Sequence, residues 1–212
     1  SHHLAKKLIK RGVNVEVLAG TDNPKLLGTS LVENIKVHRV LRDRKTPKGK
    51  LLYGFKLFHY ILKNRGKYDV VHAHGFHVPV SFASWISKLP LVQKITNSNL
   101  DDPISVKNRN YSWLYSWIYN LAKLVIPTSQ CLQDTCIKGL TTTPYIKIPN
   151  GVDTSRFRPP VDYEKYQIRN KLKVDRDKII LLAVGTVSHL KGTDTLIEAL
   201  YNLKENTDQD IL

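Results

Sequence analysis

Residues 179–184 are all apolar, the run closes on Gly185, and Lys191-Gly192 follow at the head of a second apolar pattern. A strand that ends in glycine and feeds a helix leaves backbone N–H groups, and the positive end of the helix dipole, at the carboxyl edge of a parallel sheet. Such a place can cradle a diphosphate. Lys191 would add a full positive charge where negative charge grows as a bond to phosphate breaks. The same spacing also suits a plain strand-to-helix turn with a surface lysine. A second group is His72 and His74, two apart and therefore on one face of a strand, with His77 just beyond them. A metal site is one reading, but no carboxylate or cysteine accompanies the three, so no metal is assigned. The preferred reading makes His74 a strand-end side chain that donates to a substrate hydroxyl. Asp101-Asp102-Pro103 is read as a capping turn ahead of a helix. Cys131 and Cys136, five apart on one helix, fall on different faces and suit neither a disulfide nor a metal site.

The elements that would carry these residues alternate in the βαβ manner, short apolar runs between longer helical patterns. A helix runs to about Arg11 and stops at Gly12; strands follow at 13–18 and 35–40, then a helix at 51–64 and a strand at 68–72. Next come a helix at 78–88, a strand at 91–95, a polar loop through Asp102, an aromatic helix around 111–121, a strand at 124–127, a helix at 130–138 and a strand at 145–148. Residues 149–160, with Asn150-Gly151 and Pro159-Pro160, read as a linker. Beyond it the pattern restarts: a helix at 163–172, the run 179–184 as a central parallel strand, and a helical stripe of Leu196, Ile197, Leu200 and Leu203. One strand and two helices cannot bury a doubly wound sheet, so the second domain is expected to be only a beginning.

Composition narrows the partners. With 42% hydrophobic and 24% charged residues in 212, the chain is globular rather than disordered, and no run approaches the roughly 18 apolar residues a membrane span needs. It has no methionine, even at position 1, and opens directly into a helical run, which reads as a missing start. Cysteine usage fits a reducing cytosol. The net charge of +15 favours an anionic partner. Lys36, Arg39, Arg42, Arg44, Lys45, Lys48 and Lys50 stand against the single acid Asp43 in a segment that reads as a loop after a short strand. That loop is either simply solvated or a contact for acidic lipid head groups, where each basic residue contributes on the order of 1 kcal/mol. Nucleic acid ranks last, because no recognised binding motif accompanies the charge. The run Tyr111, Trp113, Leu114, Tyr115, Trp117, Ile118, Tyr119 is aromatic around most of a helix; half must be core, and the rest suits a head-group interface or sugar stacking.

Four segments together resemble glycosyltransferase family 4, the retaining enzymes of the GT-B fold. Leu4-Ala5, Leu8 and Arg11 through Val17 are similar to the family's first helix and second strand, and Tyr68 through His74 to its histidine-bearing strand. Ile148-Pro149-Asn150-Gly151-Val152-Asp153 with Phe157 and Pro159 is similar to its interdomain signature, and Ala183 through Gly192 to its donor loop. The resemblance implies an α/β chain of two Rossmann-like parallel-sheet domains, at 1–158 and 159–212, the second truncated. It implies transfer of a sugar from a nucleotide diphosphate sugar, a substrate and not a cofactor, to a lipid-linked or polysaccharide acceptor. Gly185, Thr186, Lys191 and Gly192 would bind the donor, with Lys191 stabilising the leaving diphosphate; His74, Thr96, Thr128, Ser129, Asn150, Gly151 and Asp153 would bind substrate, Asn150, Gly151 and Asp153 shaping the cleft floor and Thr128 and Ser129 lining it. The location implied is cytoplasmic, peripheral at the membrane's inner face.

Two positions depart from the family. Thr186 stands where an arginine is usual and brings no charge to the phosphates. Thr96 or Asn97 falls where a histidine often follows the strand. The family's first glycine-rich loop would precede residue 1, and its paired acidic motif would lie beyond Leu212. Two alternatives stay open: a noncatalytic acceptor- or membrane-binding piece, and a nucleotide-sugar epimerase of the same architecture.

Overall fold

The computed structural model describes residues 2–43, 45–108, 110–140, 142–176 and 178–205. The chain divides into two compact units, residues 1–151 and 152–212.

The first unit opens with α1 (His2–Lys10), which buries Ala5 and ends at Gly12, whose φ of +81° is a backbone conformation glycine adopts without strain. Strands β1 (Glu16–Thr21), β2 (Gly28–Val32) and β3 (Ile35–Leu41) form a sheet in the order β1-β3-β2, with β1 parallel and β2 antiparallel to β3. Helix α2 (Pro47–Lys63) then returns the chain to β4 (Val71–His74). A second sheet has the order β4-β5-β6, all parallel, with β5 at Leu91–Ile95 and β6 at Leu124–Pro127. Its connections are α3 (Val78–Ser87), α4 (Pro103–Lys107) and α5 (Ser112–Tyr119), and α6 (Gln130–Gly139) follows β6.

The core of this unit lies between the second sheet and its helices. Leu57 and Ile61 of α2, Ala73 of β4, Val80 and Ala83 of α3, Leu91 and Ile95 of β5, Tyr119, Val125, Leu132 and Cys136 are buried together. Full burial of a side chain such as Leu91 or Ile95 contributes on the order of 2 kcal/mol. A polar tie joins the first sheet to the approach to β4. The Glu16 carboxylate accepts from the Tyr68 hydroxyl at 2.6 Å and the Lys36 ammonium at 3.0 Å, and meets His38 Nε2 at 3.0 Å. The Tyr68 hydrogen bond, reinforced by Lys36 and His38, holds this carboxyl down to about 2.

Strands β5 and β6 match their predicted bounds, and the expected strand at 145–148 runs beside β6, with Ile146 N–H and Ile148 N–H donating to the carbonyls of Val125 and Pro127, both at 3.0 Å. Other expectations need correction. The strands foreseen at 13–18 and 68–72 lie two or three residues later, as β1 and β4. Strand β2 was not foreseen; it returns through Glu33 and Asn34, at φ 48° and 65°, a tight turn usually signalled by Asn-Gly. The basic segment is a loop for a shorter stretch than expected: Lys36 and Arg39 lie in β3, as foreseen, but α2 already opens at Pro47, with Thr46 Oγ1 accepting from Gly49 N–H at 2.9 Å. The aromatic helix is shorter than expected, and α4 precedes it.

The second unit contains α7 (Asp162–Lys171), a 3-10 turn at His189–Lys191 and α8 (Thr193–Glu205). Glu164 closes the start of α7 by accepting from Val161 N–H at 3.1 Å and from Arg158 at 2.7 and 2.8 Å. Of the predicted central strand at 179–184, Ile179 forms a single β-bridge and residues 180–184 carry no strand pairing among the described residues; Leu182 is 83% and Val184 89% exposed. An extended segment needs a neighbour for its N–H and C=O groups, and the described residues of this unit contain no second strand to supply one.

Candidate functional site

The carboxyl edge of the β4-β5-β6 sheet gathers several polar side chains through parallel pairing alone. In register, His72 lies beside Val92 and His74 beside Lys94, and Lys94 beside Ile126 on β6. Ala73 points into the core, so His72 and His74 share the opposite face, where their rings stack at 4.8 Å. Desolvation by the surrounding atoms, then the positive neighbours His72 and Lys94, pushes the His74 imidazole down to about 4. His72 is lowered by the same desolvation and by Lys94. A neutral imidazole of this kind can donate to one hydroxyl and accept from another. Gly75, at φ +91°, ends the strand, its N–H donating to the Lys94 carbonyl at 2.8 Å. His77 Nε2 lies 3.1 Å from the His74 carbonyl. Among the described residues no cluster of three His, Cys, Asp or Glu side chains could hold a metal.

The loop after β5 is built around two carboxylates. Asp101, buried, accepts from Asn97 N–H at 2.9 Å and Thr96 N–H at 3.4 Å, and burial raises its carboxyl in spite of these bonds. Asp102 caps α4, accepting from Ile104 N–H at 3.1 Å, Ser105 N–H at 3.0 Å and Asn99 N–H at 2.7 Å. The expected capping turn is thus present, and it fixes Thr96 and Asn97 next to β4. A side chain added at Gly75 would come within 3.3 Å of Asp101 Oδ2, so the two loops are closely fitted. At the end of β6, Thr128 Oγ1 donates to the Ile95 carbonyl at 3.2 Å, and Ser129 Oγ caps α6 by accepting from Leu132 N–H at 3.3 Å. His74, Thr96, Thr128 and Ser129 therefore stand at the ends of adjacent parallel strands, where ligands of open α/β sheets bind.

Asn150 and Gly151 are exposed at the end of the first unit. In the second unit, Asp153 holds a turn, its carboxylate accepting from the Ser155 hydroxyl at 2.6 Å and N–H at 3.2 Å. Gly185 and Thr186 are exposed on an irregular segment rather than at the end of a strand. Lys191 closes the 3-10 turn, exposed, and Gly192, at φ +66°, starts α8 by accepting from Leu196 N–H at 2.9 Å. Thr193 Oγ1 braces the loop, donating to the Ser188 carbonyl at 3.4 Å and accepting from Ser188 N–H at 3.3 Å.

Sequence reasoning passed over the pair His189 and Asp194, whose Nδ1 and Oδ2 are in contact across this loop. The hydrogen bond from His189, with that from Thr195 N–H, lowers the Asp194 carboxyl. Their places two residues before Lys191 and two after Gly192 were the available signal. Asp194 puts a negative charge on the first turn of α8 beside Lys191, so the helix start is less open to an anion than an uncharged turn would be.

Residues 1–156 match the family described as Glycosyltransferase Family 4. A glycosyltransferase of Methanocaldococcus jannaschii is 25% identical over 223 residues, covering 95% of this chain and 54% of that protein. The phosphatidylinositol N-acetylglucosaminyltransferase GPI3 subunit of Saccharomyces cerevisiae is 24% identical over 207 residues, 92% of this chain and 44% of its own. Among solved structures, Anabaena HepE in complex with UDP-glucose superposes with a TM-score of 0.62 at 24% identity, covering 93% of this chain and 51% of that one. MurG of Acinetobacter baumannii gives 0.52 at 16%, covering 98% and 54%. The chain thus spans about half the length of these proteins, and the structural likeness is one of fold.

Proposed function

The chain belongs to glycosyltransferase family 4 and has the mixed α/β, parallel-sheet GT-B fold, and from that premise we propose that it serves an enzyme transferring a sugar from a nucleotide diphosphate sugar to a lipid-linked or polysaccharide acceptor. The transferred group in this reading is a hexosyl unit. Residues 1–158 form the acceptor side and 159–212 begin the donor side. His74, Thr96, Thr128 and Ser129 bind substrate in this reading, as do Asn150, Gly151 and Asp153. The observation that carries this reading is the gathering of the first four at one carboxyl edge, with a neutral imidazole among hydroxyl and amide groups.

On the donor side Gly185, Thr186, Lys191 and Gly192 contact the diphosphate, and the Lys191 ammonium offsets charge on the departing phosphate oxygens. Lys191 makes no ion pair among the described residues, which leaves it available for that role. Support for a nucleotide-sugar donor comes from a relative in fold: Anabaena HepE is a complex with UDP-glucose. The donor is a substrate, and neither cofactor nor metal takes part. The enzyme works in the cytoplasm, peripheral to the membrane.

The test is incubation of the complete enzyme with a panel of nucleotide sugars and a chelator, with and without crude lipid acceptors. Acceptor-dependent transfer is expected. Conversion of the nucleotide sugar without acceptor would identify an epimerase, and no turnover with any donor would identify a noncatalytic binding protein.

A further inference from the structure

The amino edge of the β4-β5-β6 sheet, opposite the edge that carries His74 and Thr128, holds a recess of about 670 Å³. Its walls are the last turn of α3 with the residues before β5, and the residues that lead into β6. Backbone bonds fix both parts. Lys88, at φ 57°, ends α3 with its N–H donating to the Trp85 carbonyl at 3.1 Å, and Leu89 N–H donates to the Ser84 carbonyl at 2.9 Å. Lys123 N–H donates to the Leu91 carbonyl at 2.8 Å, and both lysines line the recess. Both are exposed, neither makes an ion pair among the described residues, and no Asp or Glu lines the recess. Trp85, 53% exposed, forms part of the wall and is propped edge-on by Trp117 at 5.7 Å and Phe82 at 6.5 Å. Ser84 also lines the recess; it is 1% exposed, and its hydroxyl has no hydrogen-bond partner among the described residues. A buried hydroxyl left in that state is unfavourable, and a ligand hydroxyl would satisfy it.

We propose that this recess binds an acidic saccharide, with a sugar ring against Trp85, its carboxylate between Lys88 and Lys123, and a hydroxyl on Ser84 Oγ. The C–H face of a sugar ring is weakly positive and meets the negative face of an indole. The volume falls within the about 300–1,000 Å³ usual for small-ligand sites, where a few polar groups among apolar ones set the orientation. Interfaces between proteins are depleted in lysine, which disfavours a protein partner. Two lysines around one recess suit a single anionic group, whereas a nucleic acid needs a basic groove that follows its backbone. The recess is separate from the edge that carries His74, Thr96, Thr128 and Ser129, so it is a second place for a glycan and does not depend on the proposed transferase function.

The test is isothermal titration calorimetry of the complete protein, without nucleotide sugar, against hexagalacturonate, neutral maltohexaose and single-stranded hexathymidylate. Hexagalacturonate should bind roughly tenfold more tightly than maltohexaose, with the margin shrinking as salt rises. Trp85→Ala should weaken its binding roughly tenfold. Lys88→Gln combined with Lys123→Gln should erase the preference for the acidic saccharide, and circular dichroism should show this variant folded, since both side chains are exposed. Trp113→Ala, at an exposed ring outside the recess, should leave binding unchanged. No binding of hexagalacturonate, equal binding of maltohexaose or hexathymidylate, or a loss caused by His74→Ala and not by Trp85→Ala would overturn the proposal. Because no sugar nucleotide is present, failure of the transferase reading leaves this result standing, and the reverse.

Discussion

Glu16→Gln should destabilise the first unit at neutral pH and cease to do so in acid. The carboxylate is only 20% exposed and has three partners within 3.0 Å, of which the Tyr68 hydroxyl contributes most to its lowered value. Moving from 4.5 when unfolded to about 2 when folded corresponds to about 3 kcal/mol at most, and screening by water reduces the expectation to about 2 kcal/mol. The sign follows from the depressed value: the stabilisation is complete above the unfolded value of 4.5 and disappears as pH falls through about 2. All three tryptophans, Trp85, Trp113 and Trp117, lie in the first unit, so their fluorescence during urea unfolding reports on that unit. Wild type and variant should differ by about 2 kcal/mol at neutral pH, with the gap closing steadily below the unfolded value. Tyr68→Phe should reproduce most of the effect. Equal stability of wild type and Glu16→Gln at neutral pH, or a difference that persists undiminished in strong acid, would refute the reasoning.

Three further outcomes can be checked separately. Lys191→Ala in the complete enzyme should lower the transfer rate about a hundredfold with no change in thermal unfolding, and an unchanged rate with every donor would remove the lysine from the site. Gly139→Ala should cost about 1–3 kcal/mol in urea unfolding, because the new Cβ would sit 2.5 Å from Pro103 Cβ and 3.2 Å from its carbonyl carbon; wild-type stability would show that α4 and α6 are not so close. The His74 ring should stay neutral from neutral pH down to about 4, measured by NMR titration, and a midpoint in the ordinary histidine range would mean its surroundings are wetter than described.

Much of the first unit could be read from residue order, for a physical reason. Strands β5 and β6 lie between neighbours and are buried at most positions, so their apolar runs announce both ends. Helix α3 carries Pro79 in its first turn, α6 begins at the Ser129 cap, and the two end near Lys88 and Leu140, which local rules anticipate. Strand β2 carries a mixed run, Gly28 to Val32, mostly exposed, and its turn uses Glu33-Asn34, so neither periodicity nor turn chemistry marked it. Residues 179–184 differ in the opposite way: their composition describes a buried central strand, yet among the described residues only Ile179 is bridged, because strand pairing depends on a neighbour that residue order within the segment does not specify. The places of His74, Thr96, Thr128 and Ser129 at or just after strand ends were legible because the strands themselves were, whereas their roles remain proposals. Asp101 was read only as part of a capping turn, and the pair His189 and Asp194 was not foreseen, because their contacts depend on which backbone amides and side chains the loops bring to them.

The central claim is that the loop around Lys191 and Gly192 holds a nucleoside diphosphate. Hydrogen–deuterium exchange of the complete enzyme, with and without a panel of nucleoside diphosphates, addresses it most directly. The account predicts slowed exchange at the amides of residues 185–195 with at least one nucleotide, lost in Lys191→Ala. Protection confined to other segments, or none at saturating nucleotide, would contradict it.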